Sequence, residues 1–182
     1  MRSISPLLVV LLLSACSGPA VETSVPVLAT FPEARGSNLN DKAYQLPGDF
    51  EAEWNLVLLG YLKEHQGEVN TWLAVAPDLE ERFEFLRTYE LPTLEALTEA
   101  KRDRLDGMMK AEIRNSDTRD RTITLYLDRP AFLEALHIDT TDAIHALLVA
   151  RDGRVVWWHE GTHSRRAEAE LIDRFALLEG KR

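Results

Sequence analysis

The sequence predicts an α/β fold in which a mixed β-sheet is covered by helices on both faces and completed by a C-terminal β-hairpin and helix. Three observations carry this. Residues 55–62 (NLVLLGYL) form a near-continuous apolar run, as expected of a strand buried on both faces of a parallel sheet. Residues 122–127 (TITLYL) are β-branched and aromatic, which suits a second such strand. Residues 144–150 and 154–159 flank Asp152-Gly153, a two-residue hairpin signal, and an amphipathic segment follows them.

The remaining elements fall between these. A helix over residues 66–75 carries Val69, Trp72 and Leu73 toward the core, and Pro77 marks its end. Residues 83–89 alternate Phe83, Phe85 and Arg87 against Glu84, Leu86 and Thr88, a strand that Leu91-Pro92 closes. Across residues 94–113 the apolar positions Leu94, Leu97, Leu105, Met108, Met109 and Ile113 recur at helical spacing. Gly107 interrupts them, so two short helices or one kinked helix are expected. Asp128 caps a short helix in which Pro130 is tolerated in the first turn. Gly161 ends the hairpin, and Thr162 or Ser164 caps a last helix burying Ala167, Leu171, Ile172, Phe175 and Leu178. There is no internal repeat.

The N-terminal segment reads differently. Arg2, the apolar run of residues 7–13 and the small residues before Cys16 make a secretory signal too short to span a bilayer. Leu13-Ser14-Ala15-Cys16 resembles the bacterial lipoprotein signal. That resemblance implies removal of residues 1–15 and diacylation of Cys16 as the mature N-terminus. It also implies attachment to the periplasmic side of the envelope, at the outer membrane in a Gram-negative cell because Ser17 rather than Asp follows. Residues 16–45, rich in Gly, Pro, Ser and Thr, are expected to be a flexible tether. An edge strand through residues 25–28 is disfavoured by Pro26 and Pro32. The domain is then residues 46–182.

Composition narrows the function. The chain has 21 Lys and Arg against 30 Asp and Glu, a net charge of -9. Loss of Arg2 with the signal takes the mature chain to -10. Such a chain is repelled by nucleic acid and by anionic head groups, so the acyl anchor is its expected membrane contact and nucleic acid is not an expected partner. Cys16 is the single cysteine. Once acylated it leaves no thiol for a disulfide, a nucleophile or a metal thiolate.

The order of elements and the segment 144–155 (IHALLVARDGRV) resemble thioredoxin, from its cis-proline through a Lys-Asn-Gly type turn, with Gly161 matching the glycine that ends that hairpin. The resemblance implies a thioredoxin-like mixed sheet, with the redox motif falling near Glu64-His65-Gln66-Gly67 and the cis-proline position at His145. Neither redox cysteine is present. Thiol-disulfide exchange needs an attacking thiolate and a resolving thiol, so oxidoreductase activity is excluded on chemical grounds. Gly107-Met108-Met109, residues 122–126, Asp128-Arg129, Phe132 and Trp157 are also similar to the thioredoxin-like assembly chaperone of the mitochondrial F-type ATP synthase.

Two functions follow from this reading. One is a non-redox, membrane-anchored protein-binding or assembly module that meets a protein client on the face redox relatives use. The other is a copper or zinc carrier. It rests on His145, which lies near a histidine ligand of the copper-delivering thioredoxin-fold proteins, together with His65 and Glu64. Against the metal site stands the ordinary reading of His145 as a strand-edge histidine bonded to its neighbours. His159 and His163 straddle Gly161 and are expected to be exposed turn residues. Trp157 and Trp158 point to opposite faces of one strand, with core packing expected for both. Glu80-Glu81, the stretch 102–106 and Arg119-Asp120-Arg121 read as solvated charge. No nucleophile elbow, phosphate loop or paired carboxylates appear, so no cofactor and no catalytic residue are expected.

Overall fold

The computed structural model describes residues 25–179. The signal peptide and Cys16 lie outside the described residues. The chain runs β1 (Ala29–Thr30), β2 (Ala34–Asn38), β3 (Ala43–Leu46), β4 (Trp54–Gly60), a 3-10 turn (Lys63–His65), α1 (Gln66–Leu73), α2 (Ala76–Arg82), β5 (Leu86–Glu95), α3 (Glu99–Glu112), α4 (Ser116–Arg121), β6 (Ile123–Leu127), α5 (Arg129–Ala135), β7 (His145–Ala150), β8 (Arg154–Glu160) and α6 (Arg165–Glu179). The eight strands form one sheet in the order β1-β8-β7-β4-β5-β6-β2-β3. The pairs β4–β5 and β5–β6 are parallel and the others antiparallel. This is the predicted α/β mixed sheet with its C-terminal hairpin and helix.

The central strand β4 explains why both faces need cover. Its alternate residues feed two separate cores. Leu56 and Leu58 pack with Val69 and Trp72 of α1, Leu79 of α2, and Ala167, Leu171 and Phe175 of α6. Val57 and Leu59 pack with Phe132 and Leu133 of α5 and with Phe31, Tyr44, Leu46 and Phe50 from the N-terminal segment. A period of two in a strand makes this division unavoidable.

Those N-terminal contacts correct the expected tether over residues 16–45. From Ala29 onward the segment supplies three strands. The β2–β3 hairpin pairs antiparallel with β6 at Gly36–Leu125, Ser37–Thr124 and Asn38–Ile123. Pro26 precedes β1 and Pro32 falls between β1 and β2, so neither interrupts a ladder. The ordered domain therefore begins well before residue 46. The stretch 119–121, expected as a solvated loop, is the end of α4 and fastens this hairpin. Asp120 Oδ1 accepts from Asn40 Nδ2 at 2.6 Å and Asn38 Nδ2 at 3.2 Å, and Arg119 Nε donates to Asn40 Oδ1 at 2.9 Å.

Other boundaries shift. Strand β5 continues through Pro92 to Glu95 because only its first seven residues pair with β4, and Thr93–Glu95 pair with β6. Pro92 faces β4 at its last pair, where the ladder ends. Helix α3 passes through Gly107 without a break and buries no residue completely. Pro77 sits in the first turn of α2, a helix of its own, rather than ending α1. The hairpin turn is as expected: Gly153 has φ +91° and its amide donates to Ala150 O at 2.9 Å. The Ser164 hydroxyl caps α6 by accepting from the Ala167 amide at 3.1 Å, and Asp128 caps α5 through the Ala131 amide at 3.2 Å.

Candidate functional site

The end of β4, the turn after it and the start of β7 bring Tyr61, His65 and His145 together. Tyr61 follows the last residue of β4, and His145 pairs with Leu59 in the neighbouring strand. All three are buried. The Tyr61 hydroxyl lies 3.0 Å from His145 Nδ1. Burial pushes the Tyr61 phenol far above its usual range, so it stays protonated and donates. His145 Nδ1 is then the acceptor, and its proton belongs on Nε2. His65 Nδ1 accepts from the Tyr61 amide at 3.3 Å, closing the turn into α1. Glu68 of α1 accepts from the Ile144 amide at 3.2 Å and so anchors the start of β7.

Desolvation holds the His145 pKa below its ordinary 6.5, with Glu160 opposing and His159 and His65 reinforcing the shift. The centre is therefore a neutral phenol–imidazole pair in an apolar setting. It can donate and accept hydrogen bonds. It contains no thiol, so it cannot exchange disulfides.

The three-residue metal site does not assemble. Tyr61 stands between the two imidazoles, edge-on to each, with ring centroids 5.9 Å from His65 and 5.8 Å from His145. Glu64 is on the surface. Among the described residues no three His, Cys, Asp or Glu side chains are grouped to hold a metal ion. A 3-10 turn is the reason, since it turns adjacent residues Glu64 and His65 to different sides of the chain.

His159 and His163 are also committed. His163 Nε2 pairs with Glu168 at 2.8 Å and its ring meets Trp72 edge-on at 5.1 Å. His159 stacks on Trp157 with 10° between ring planes. Both are half-buried around Trp72 rather than exposed. Trp72 Nε1 donates to Gly161 O at 3.0 Å. Trp157 lies in the core as expected, but Trp158 is 46% exposed, a correction to the expected core packing of both. It lies on the opposite face, beside His145 at 5.8 Å between rings. Glu80 is likewise not solvated. It accepts from Arg121 at 2.7 Å, from Arg87 at 3.2 Å and from the Thr88 amide at 2.7 Å, tying α2 to β5 and α4.

The sequence reading missed a second feature. On the helix-facing side of β5, Thr88, Glu90 and Pro92 follow Leu86, and α3 stands off from them. A cleft of about 390 Å³ opens there between α1 and α3, with Val69 and Leu73 on one wall, Leu105, Met109 and Ile113 on the other and Glu90 in its lining. A second cavity of about 250 Å³ continues from it past Thr88, sharing Leu73, Glu90, Thr118 and Thr122. The available signal was a carboxylate between Tyr89 and Leu91 within a strand.

No known family's sequence profile matches the chain, and no curated protein is similar to it in sequence. Solved structures are similar in fold. BsSco, a member of the Sco family of cytochrome c oxidase assembly proteins, superposes with a TM-score of 0.57 at 12% identity, over 84% of this chain and 95% of its own. A thiol:disulfide interchange protein from Bacteroides sp. gives 0.54 at 16% identity, over 83% and 90%. The exposed lipoprotein thioredoxin Etrx1 of Streptococcus pneumoniae gives 0.52 at 11% identity, over 78% and 98%. At these identities the likeness concerns architecture alone: this chain carries a thioredoxin-like fold.

Proposed function

We propose that the chain is a non-redox, lipid-anchored module of the cell envelope that binds a protein client or assembly partner. The observation that carries this reading is the replacement of thiol chemistry by the buried Tyr61–His145 pair at the end of β4, flanked by exposed apolar side chains. Leu62 is 54% and Trp158 46% exposed. Large apolar groups around a rigid buried centre make a contact surface, where Trp is enriched. The lipoprotein-like signal at Cys16 supports an envelope location, in keeping with the exposed lipoprotein among the similar folds.

The test is site-specific photo-crosslinking in the native envelope, with the reactive residue at Leu62 or Trp158. Tyr61 and His65 are too buried to serve. The control position is Arg166 of α6, whose side chain is 90% exposed. The expected result is one dominant protein captured from Leu62 and Trp158 and absent from Arg166. That protein should lose binding to the unmodified chain carrying Trp158→Ala and Leu62→Asp. Equal capture at Arg166, or insulin-disulfide reduction by the purified chain, overturns the proposal.

A further inference from the structure

Helix α3 is placed unusually for an amphipathic element. Leu105, Met109 and Ile113 recur every four residues on one face, yet none is fully buried. The helix is held by polar surface contacts instead. Lys63 reaches Glu112 at 3.1 Å, Lys110 reaches Asp41 at 2.7 Å and the Tyr126 hydroxyl donates to Asp106 at 2.7 Å. These contacts keep an apolar row facing α1 across open space rather than closing on it. A volume of about 390 Å³ falls within the roughly 300–1,000 Å³ typical of small-molecule sites.

The floor of this space is polar. Glu90 is 6% exposed, with the Gln66 side chain as its hydrogen-bonding neighbour. Two residues earlier on the same face of β5, Thr88 is 1% exposed, and its Oγ1 has no hydrogen-bond partner among the described residues. A hydrogen bond left unmade by a buried hydroxyl is costly, and Thr88 is among the residues lining the second cavity. Residues i and i+2 of a strand lie about 7 Å apart, close enough for one atom to bridge their side chains.

We propose that this trough binds a small amphiphilic amine, its apolar body between α1 and α3 and its protonated nitrogen between the Glu90 carboxylate and the Thr88 hydroxyl. Charge complementarity selects the cation. Lys63 at the mouth is already paired with Glu112, and Arg121 beside the second cavity is engaged by Glu80. Among the described residues Glu90 is left as a buried carboxyl with no cation paired to it. Burial pushes its carboxyl pKa up, and an ammonium group placed against it would reverse that shift and be held by a charge-assisted hydrogen bond. The trough shares Tyr61, Leu62 and His65 with the client-binding face, whereas Trp158 lies outside it, so capture at Trp158 reads client binding independently of ligand binding.

Isothermal titration of the full chain with octylamine, 1-octanol and octanoate at neutral pH tests it. The amine is expected to bind at least about tenfold more tightly than the alcohol, and octanoate more weakly than either. Glu90→Gln should bring amine and alcohol to similar affinity while leaving the alcohol bound. Met109→Trp, on the half-buried face of α3, should weaken both by filling the apolar compartment. It also keeps the test open if Glu90→Gln does not fold. Equal binding of amine and alcohol to the wild type overturns the proposal, as does no binding of either. An amine preference that survives Glu90→Gln also overturns it, because general attraction to an acidic chain would persist in that variant.

Discussion

Gly36 is the position at which the N-terminal hairpin is most sensitive to a single added carbon. It lies in β2, paired with Tyr44 on one side and Leu125 on the other. A Cβ built there would sit 2.6 Å from the carbonyl oxygen of Thr124, 2.7 Å from Leu125 Cδ2 and 3.0 Å from Ile123 Cγ2. The two side-chain contacts can give way by rotation. The carbonyl cannot move without loosening the β2–β6 ladder. Overpacking costs about 1–3 kcal/mol, and a backbone clash belongs in the upper part of that range. Gly36→Ala should therefore cost about 2–3 kcal/mol, lowering the melting temperature by roughly 5–10 °C for a chain of this size. Gly107→Ala is the control. Nothing lies within 4 Å of its added Cβ, and the residue is inside α3, so the variant should gain about 0.5–1 kcal/mol. Thermal melts followed by circular dichroism on the full chain read both. A Gly36→Ala chain that melts with the wild type would mean that β2 is not seated against β6, and the reading of residues 34–46 as part of the domain would be wrong.

Because the folded-state pKa of His145 lies below 6.5, the unfolded chain binds the extra proton first as pH falls. Its contribution is fully present above 6.5 and is lost as pH drops below that value, so urea-derived stability should fall on acidification from about pH 7. His145→Asn keeps an acceptor for the Tyr61 hydroxyl and should shrink that loss; an unchanged pH slope would remove His145 as its source. Glu80→Gln should cost about 2 kcal/mol by weakening the bonds from Arg121, Arg87 and the Thr88 amide. Hydrogen exchange should show the amides of α4 losing protection in this variant, and unaltered exchange there would refute the link. Trp72→Ala should cost about 3–5 kcal/mol in urea unfolding, because the indole is fully buried and donates to Gly161 O. A loss below about 1 kcal/mol would contradict the packing described.

Patterns confined to neighbouring residues were legible in the sequence. The apolar run of β4, the Asp152-Gly153 turn and the Asp128 and Ser164 caps act over a few positions, so local composition predicts them. His65 and His145 were expected together only as metal ligands with Glu64, and the residue that stands between them is Tyr61. Glu64 follows from adjacency in sequence, whereas Tyr61 joins them because the end of β4 abuts the start of β7.

Whatever depends on partners far along the chain was decided by tertiary structure. Residues 29–46 lack a strong strand signal because their strands are short, with Pro32 between the first two and Gly36 inside the second. They are ordered by β6, by the turn at Gly153 and by Asp120, about 80 residues away, which accepts from Asn38 and Asn40. The trough has the same origin. Thr88 and Glu90 are ordinary polar residues in sequence, and they become a buried floor only where α3 is held away from the sheet by its surface ion pairs. The sequence by itself determined that no thiol chemistry is available beyond Cys16 and that an α/β sheet would form. Long-range packing decided which side chains meet, because burial depends on the whole chain and not on the pattern within any one segment.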